Sequence, residues 1–343
     1  MKKTTAFFLS IGILAMIIGG IGSAVYFRRA ETTMTDTKNQ TYEIKNKQST
    51  KEIHLDLSGN ADFYILTENS TKVVMDTRSS MPVSLKSSLD VKEKNNALVI
   101  SARSDKNRQE MNGLKFDLFD RGSAVTLTIP ENTERLVIDG QTNGDINLSN
   151  VKTKDLAIKL SNSDINVSAI NTENLTIEAT SGDLRINSDV RTNEATFKTT
   201  NGEIQINDFT ASNWSATSTS GDIYLNTVKG TAKIETSNGE IQATDLKGET
   251  EVRSTNGDFS LYGTEIPKKL LVETQLGSIQ LYTEEILYDV TIKTKTKLGD
   301  STIFGKERTS YKRGKGTKSF DLRSNSGDIS VEGPSDYDDG EED

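Results

Sequence analysis

Apolar and polar residues alternate in short runs along this chain, and the runs return at a fixed distance. The runs are set by a corner phrase: Thr180-Ser181-Gly182-Asp183-Leu184-Arg185-Ile186, then Thr200-Asn201-Gly202-Glu203-Ile204-Gln205-Ile206, then Thr219-Ser220-Gly221-Asp222-Ile223-Tyr224-Leu225. The corner recurs at Gly144, Ser163, Gly182, Gly202, Gly221, Gly239, Gly257, Gly277, Gly299 and Gly327, at spacings of 19, 19, 20, 19, 18, 18, 20, 22 and 28 residues. Two and four residues after it stand apolar pairs such as Leu184/Ile186, Ile204/Ile206 and Ile279/Leu281. Seven and five residues before it stand others, such as Leu175/Ile177, Ala195/Phe197 and Leu270/Val272. Strict alternation marks a strand with one buried face. Each repeat therefore predicts two short strands joined by an Asn/Ser-Gly-Asp corner, where Gly accepts positive φ and Asn or Asp bonds the local backbone.

One such pair of strands buries too little to offset an ordering cost of about 1–2 kcal/mol per residue. Stacked repeats share a core, and a constant period is the mark of stacking. The expected fold is all-β: a parallel β-solenoid of about ten two-strand coils over residues 136–332. A stack of antiparallel hairpins or a large sandwich is the alternative. Less regular strand-like runs (Ile53–Leu57, Asp62–Leu66, Lys72–Met75, Ala97–Ile100, Val125–Pro130) predict an irregular β cap over 51–135, since end repeats must cover an open edge.

Residues 4–27 carry no charge and lie between Lys2-Lys3 and Arg28-Arg29. A run of 24 uncharged residues exceeds the roughly 20 that cross a bilayer, so 1–30 is expected as an N-terminal transmembrane helix. The alternative is a cleaved signal peptide ending near Gly22-Ser23-Ala24. The flanking charges nearly balance, and the Thr/Asn/Ser-rich body is placed outside. Residues 31–50 are polar and read as a tether. Residues 333–343 close the chain as an acidic disordered tail with six acids after Pro334.

Val125-Thr126-Leu127-Thr128-Ile129-Pro130, Leu136-Val137-Ile138 and the Gly-Asp-Ile ladder together resemble the bacterial "putative adhesin" β-strand-repeat family of unknown function, over roughly residues 50–332. The resemblance implies the repeat fold. Some relatives have one N-terminal membrane span and accompany the Lia envelope-stress system of Gram-positive bacteria. It brings no catalytic residues.

Composition narrows the chemistry. The 343 residues hold no cysteine, which excludes disulfides and thiolate chemistry, and 33% are hydrophobic, as suits strands with one wet face. The net charge is −9, and no broad basic face is visible, which excludes a nucleic-acid partner. The acids after the corners (Asp145, Asp164, Asp183, Glu203, Asp222, Glu240, Asp258, Asp300, Asp328) form a column that reads as corner chemistry rather than a metal site. His54, the only histidine, reads as a strand residue and Trp214 as core. Neither a cofactor nor a catalytic residue is expected. Lys306, Arg308, Lys312, Arg313, Lys315 and Lys318 against Glu307 make a basic insertion of +5. It is the candidate ligand-binding segment for an envelope component, either anionic lipid or wall polymer. The functional expectation is a non-catalytic, membrane-anchored surface protein that binds such a component or a membrane protein. A polysaccharide-acting enzyme and a passive spacer are the alternatives.

Overall fold

A computed structural model describes Met16, Gly19, Ile21 and residues 35–45, 50–80, 83–94, 96–108, 123–131 and 133–334. Its strands belong to one 27-stranded sheet that winds round a single apolar core running from Ile44 to Val331. The reason is visible in the pairing. The strand Asn174–Ser181 lies parallel to Asp155–Asn162 on one side and to Val190–Asn201 on the other, with Leu175 opposite Leu156 and Ala195, and Ile177 opposite Ile158 and Phe197. The short strands stack likewise: Ile165 beside Leu184, Leu184 beside Ile204, Ile204 beside Ile223. Every rung thus adds its inward residues to columns begun by the rung before.

Each rung also has a third side, which the two-strand reading missed. One buried apolar residue occupies it in successive rungs: Val151, Ile170, Val190, Phe209, Val228 and Leu246. The short strand turns onto this side through a left-handed residue, which is Asn150, Ala169, Asp208, Thr227 or Asp245 in different rungs. Where the third side pairs well, the strand runs on without a break, as in Ile204–Ser220 and Ile223–Asn238.

The glycine corner is the tightest point. A Cβ on Gly202 would lie 2.1 Å from the carbonyl oxygen of Gly182, one on Gly221 2.0 Å from that of Gly202, and one on Gly239 2.3 Å from that of Gly221. Backbone rests on backbone there, so no side chain fits. The buried hydroxyls of Thr199, Ser218 and Thr236 then donate to the same carbonyls of Gly182, Gly202 and Gly221.

The expected architecture is corrected at four points. The ladder is solenoid-like, but the strands make one sheet that nearly closes on itself, barrel-like, round three-sided rungs rather than a stack of two-strand coils. Twelve rungs stack among the described residues, because Glu52–Gly59 and Ala97–Arg108 are full members of the ladder rather than an irregular cap. The rungs are not in chain order at either end. Glu52–Gly59 sits between Ala97–Arg108 and Arg135–Thr142, and Lys318–Ser326 sits between Lys269–Leu276 and Val290–Leu298. Antiparallel strands finish both ends: Val83–Lys94 on Ala97–Arg108, Lys72–Ser80 on Ala124–Pro130 with Thr35–Glu43 outside it, and Ser310–Arg313 on Val290–Leu298. An end rung of a parallel ladder would expose a row of unpaired N–H and C=O groups, and an antiparallel strand from a short reversal satisfies them.

The expected N-terminal membrane helix over residues 1–30 falls almost wholly outside the described residues. Of residues 1–30 only Met16, Gly19 and Ile21 are described, each helical and exposed, and among the described residues no helix is long and apolar enough to cross a membrane. The acidic residues 335–343 lie outside the described residues.

Three substitutions test the turns of the ladder. Gly239→Ala is expected to lower unfolding stability by about 1–3 kcal/mol or more, since φ is +152° and the new methyl meets a carbonyl. The exposed neighbouring Ser220→Ala should change it by less than about 0.5 kcal/mol. Thr227→Gly, at φ 55°, is expected to raise stability by about 1 kcal/mol by relieving a left-handed β-branched residue. Urea denaturation midpoints read all three.

Candidate functional site

The basic insertion folds into a lid on the outermost C-terminal rung. After Ser301–Ile303 the chain reverses at Phe304-Gly305, and Lys306–Glu307 pairs back on Thr302 and Ile303. Ser310–Arg313 then runs antiparallel along Val290–Lys293, with Arg313 opposite Val290 and Lys312 opposite Thr291. Lys315 lies in the following turn, and Lys318 opens the strand that returns into the ladder. The six predicted residues therefore share one lid, but they do not point at one spot. Lys306, Lys312 and Lys315 are exposed, while Arg308, Arg313 and Lys318 are half-buried.

Packing explains the half-buried arginines. Phe304 and Tyr311 meet edge to face at 5.0 Å, and the Arg308 guanidinium lies 4.7 Å from the Tyr311 ring centre while its Nε donates to the Ile303 carbonyl at 3.0 Å. Arg313 stacks 4.6 Å over Tyr288. Such contacts hold the lid as much as they offer charge. The Asp289 carboxylate ties down the turn: it accepts the amides of Gly316 and Thr317 and the Thr317 hydroxyl at 2.8 Å.

Sequence reasoning missed the other half of this basic end. On Val290–Leu298, Lys293, Lys295 and Lys297 are exposed, while Ile292 and Thr294 are buried and Thr296 half-buried. Thr294 bonds Ser301 at 2.5 Å and Thr296 donates to the Gly327 carbonyl at 2.9 Å, so polar residues fill inward positions here. The alternation Lys-Thr-Lys-Thr-Lys was visible in the sequence, but it carries no apolar stripe to mark its inner face. Together, residues 290–318 contain nine Lys or Arg against Asp300 and Glu307, a balance of +7.

A shallow polar groove of about 510 Å³ leads to this end across the outer face of the long strands, lined by residues including Thr217, Glu235, Arg253, Glu273, Arg323 and Asn325. Glu235, Arg253, Glu273, Arg323 and Lys295 occupy one register position on successive rungs. Arg323 is 2.9 Å from Glu273 and 2.6 Å from Asp321, and Arg253 is 2.7 Å from Glu251. These exposed pairs are screened by solvent and salt and add little to stability. Farther along the same row, Lys159 pairs with Glu178 at 3.1 Å.

The acid column is structural. Asp164 Oδ1 accepts the Asp183 amide at 2.9 Å, Asp183 Oδ1 the Glu203 amide at 2.9 Å, Asp222 Oδ1 the Glu240 amide at 2.7 Å, and Asp258 Oδ1 the Ser278 amide at 2.7 Å. Burial first, then the Asp183 carboxylate, raises the Glu203 pKa above the ordinary range. Arg185 offsets part of this by bridging Asp164 at 3.0 Å and Asp183 at 2.7 Å. Among the described residues no group of three or more carboxylates or histidines has a metal-holding arrangement. His54 Nε2 lies 2.8 Å from Asp139 Oδ2 on the outer face. Trp214 is buried, edge-on to Phe209 at 5.8 Å.

The ladder, its stacked glycine corners and its sealed ends define a repeat β-scaffold. The Toastrack DUF4097 profile matches residues 50–232 and 226–332, and the chain belongs to that family. Three solved structures are similar to the chain. A "putative adhesin" from Bacteroides fragilis is 17% identical, with 72% of this chain and 97% of that one covered and a TM-score of 0.41. One from Parabacteroides merdae is 14% identical over 72% and 95%, at 0.47. A "putative cell adhesion protein" from Clostridium sporogenes is 12% identical over 87% and 100%, at 0.21. These superpositions are too loose to transfer a site or a ligand. No functionally curated protein matches the chain.

Asp289 makes the lid pH-sensitive. The Thr317 hydroxyl, then the Thr317 and Gly316 amides, lower its pKa below the ordinary 3.8. A lowered folded pKa stabilises fully above the unfolded value and loses that contribution as pH falls through the folded one. Protection of the Gly316 and Thr317 amides, measured as exchange relative to the intrinsic rate at each pH, should therefore be high at neutral pH and fall only below about pH 3.8. In Asp289→Asn that fall should disappear, with lower protection throughout.

Proposed function

We propose that this chain is a non-catalytic binding protein of the bacterial cell surface, and that its C-terminal end engages an anionic component of the envelope. The observation that supports this is the concentration of charge: +7 within residues 290–318 of a chain whose net charge is −9. Lys293, Lys295 and Lys297 have no ion-pair partner among the described residues, so their charge is free to meet phosphate or carboxylate groups. The rest of the ladder serves to hold that end rigidly at a distance.

A polysaccharide-acting enzyme is the weaker reading. Glycosidic cleavage uses two carboxyl groups flanking the bond, one of them held protonated. In the groove, Glu273 is shared by Arg323 and Arg253, and Glu235 is held by Lys233 at 2.9 Å. Both carboxylates are thus engaged by neighbouring cations rather than left to flank a bond.

The full chain is expected to be retained on phosphatidylglycerol vesicles or on anionic wall polymer at about 50 mM salt and released at about 500 mM, where screening lengths shrink to a few ångströms. Lys312→Glu/Lys315→Glu/Lys318→Glu should weaken retention on the order of tenfold or more, with an unchanged circular dichroism spectrum. Equal retention of the variant, or none by the native chain, sinks the proposal.

A further inference from the structure

We propose that the basic end is a docking surface for an anionic lipid bilayer, with Leu298 and Leu276 entering the headgroup layer beside the lysines. This rests on the reading above and narrows its anion to a lipid headgroup. The residue before each corner glycine is Asn or Ser along most of the ladder, as at Asn143, Asn201, Asn238 and Asn256. The two leucines break that rule, and both do so at the basic end. Leu276 and Leu298 are 56% and 71% exposed, although Leu is among the side chains most often buried.

Register brings the two together. Leu276 and Leu298 each pair with Ser326 from opposite sides, which sets them two rungs, about 10 Å, apart on one edge of the scaffold. Lys297 precedes Leu298, and Lys293, Lys295 and Lys297 stand exposed along the same strand. Exposed Tyr288 lies beneath Arg313 at the opposite end of that rung. An interfacial surface combines these parts: leucine enters the apolar boundary, lysine stems cross it with their ammonium groups among phosphates, and tyrosine sits at headgroup level. Asp300 and Asp328 lie beside the leucine edge and oppose the attraction, but Asp328 Oδ1 is engaged by the Asp300 amide at 2.8 Å.

The occupant follows from what the other candidates leave unexplained. A soluble polyanion meets the lysines but leaves both leucines in water. A second copy of this chain is disfavoured by the same lysines. The lid covers Val290–Thr294, where the Thr294 amide donates to the Thr309 carbonyl at 3.0 Å, and among the described residues no strand pairs with the edge beyond it; edge-to-edge pairing there would set two rows of like charge face to face.

The absence of cysteine allows a local test on the full chain. Ser326→Cys places a single environment-sensitive fluorophore between the two leucines, and Ser161→Cys places one on a distant rung. With phosphatidylglycerol vesicles the Ser326 label is expected to shift to the blue and brighten several-fold, and the Ser161 label to stay water-like. Leu276→Asn/Leu298→Asn should abolish the shift while binding to soluble polyphosphate persists. Lys293→Glu/Lys295→Glu/Lys297→Glu should weaken vesicle binding on the order of a hundredfold. A water-like Ser326 label in a chain that still binds polyphosphate overturns the lipid docking and leaves the anion-binding reading standing. Failure to bind either probe overturns both. An equal shift on phosphatidylcholine removes the anionic requirement, and a vesicle-independent shift with dimerisation in sedimentation assigns the edge to a second copy.

Discussion

Direct contact of backbone on backbone at the glycine corner is the constraint on which this molecule depends. The carbonyl of one corner lies about 2 Å from where the next corner would carry a Cβ, from Gly182 through Gly202 and Gly221 to Gly239 and Gly257. That spacing leaves no tolerance, so it locks the register of neighbouring rungs. Once the register is locked, Leu184, Ile204 and Ile223 must lie in one column, and the corner hydroxyls and carboxylates must meet the next rung's backbone. Asp164, Asp183, Asp222, Asp258 and Asp328 are thus explained by the amides they accept. A row of carboxylates at this spacing repels itself, which adds to burial in pushing the Glu203 pKa up, and Arg185 lowers that cost.

The ends show a different balance. A regular parallel ladder has no intrinsic stopping point, because every rung presents the next with the same unpaired groups. Here each end is finished by a reversal of the chain: an antiparallel strand covers the last rung, and the penultimate place in space is filled from elsewhere in the sequence. The same reversal that seals the C-terminal end supplies its charge. Lys306–Lys318 is therefore at once the lid and half of the candidate site, and Asp289, which fastens the lid, indirectly positions the lysines it carries.

Within the site, legibility followed the strength of the inner pattern. The basic run Lys306–Lys318 stood out as a gap in the repeats. Lys293, Lys295 and Lys297 did not, because threonines take the inward positions between them and no apolar column marks that strand's faces. Leu276 and Leu298 were equally silent: a leucine in a strand is ordinarily a core residue, and only the register on Ser326 shows that these two lie outside. The third side left one apolar residue per repeat, such as Ile170 or Phe209, and a single residue is too short a run to read as a side of a rung.

The repeats alone determined that the chain is all-β, that its core is columnar, and that glycine and an acid mark each corner. These are local properties: alternation with period two selects strands, and a fixed spacing selects in-register neighbours. Only the tertiary structure decided the order of rungs, the three-sided winding into one nearly closed sheet, and the grouping of lysines and leucines at one end. Those features depend on which edges find partners across long separations, and equivalent repeats compete for the same neighbours with nearly the same inner faces. A periodic sequence cannot rank such arrangements, because its own regularity makes them locally alike.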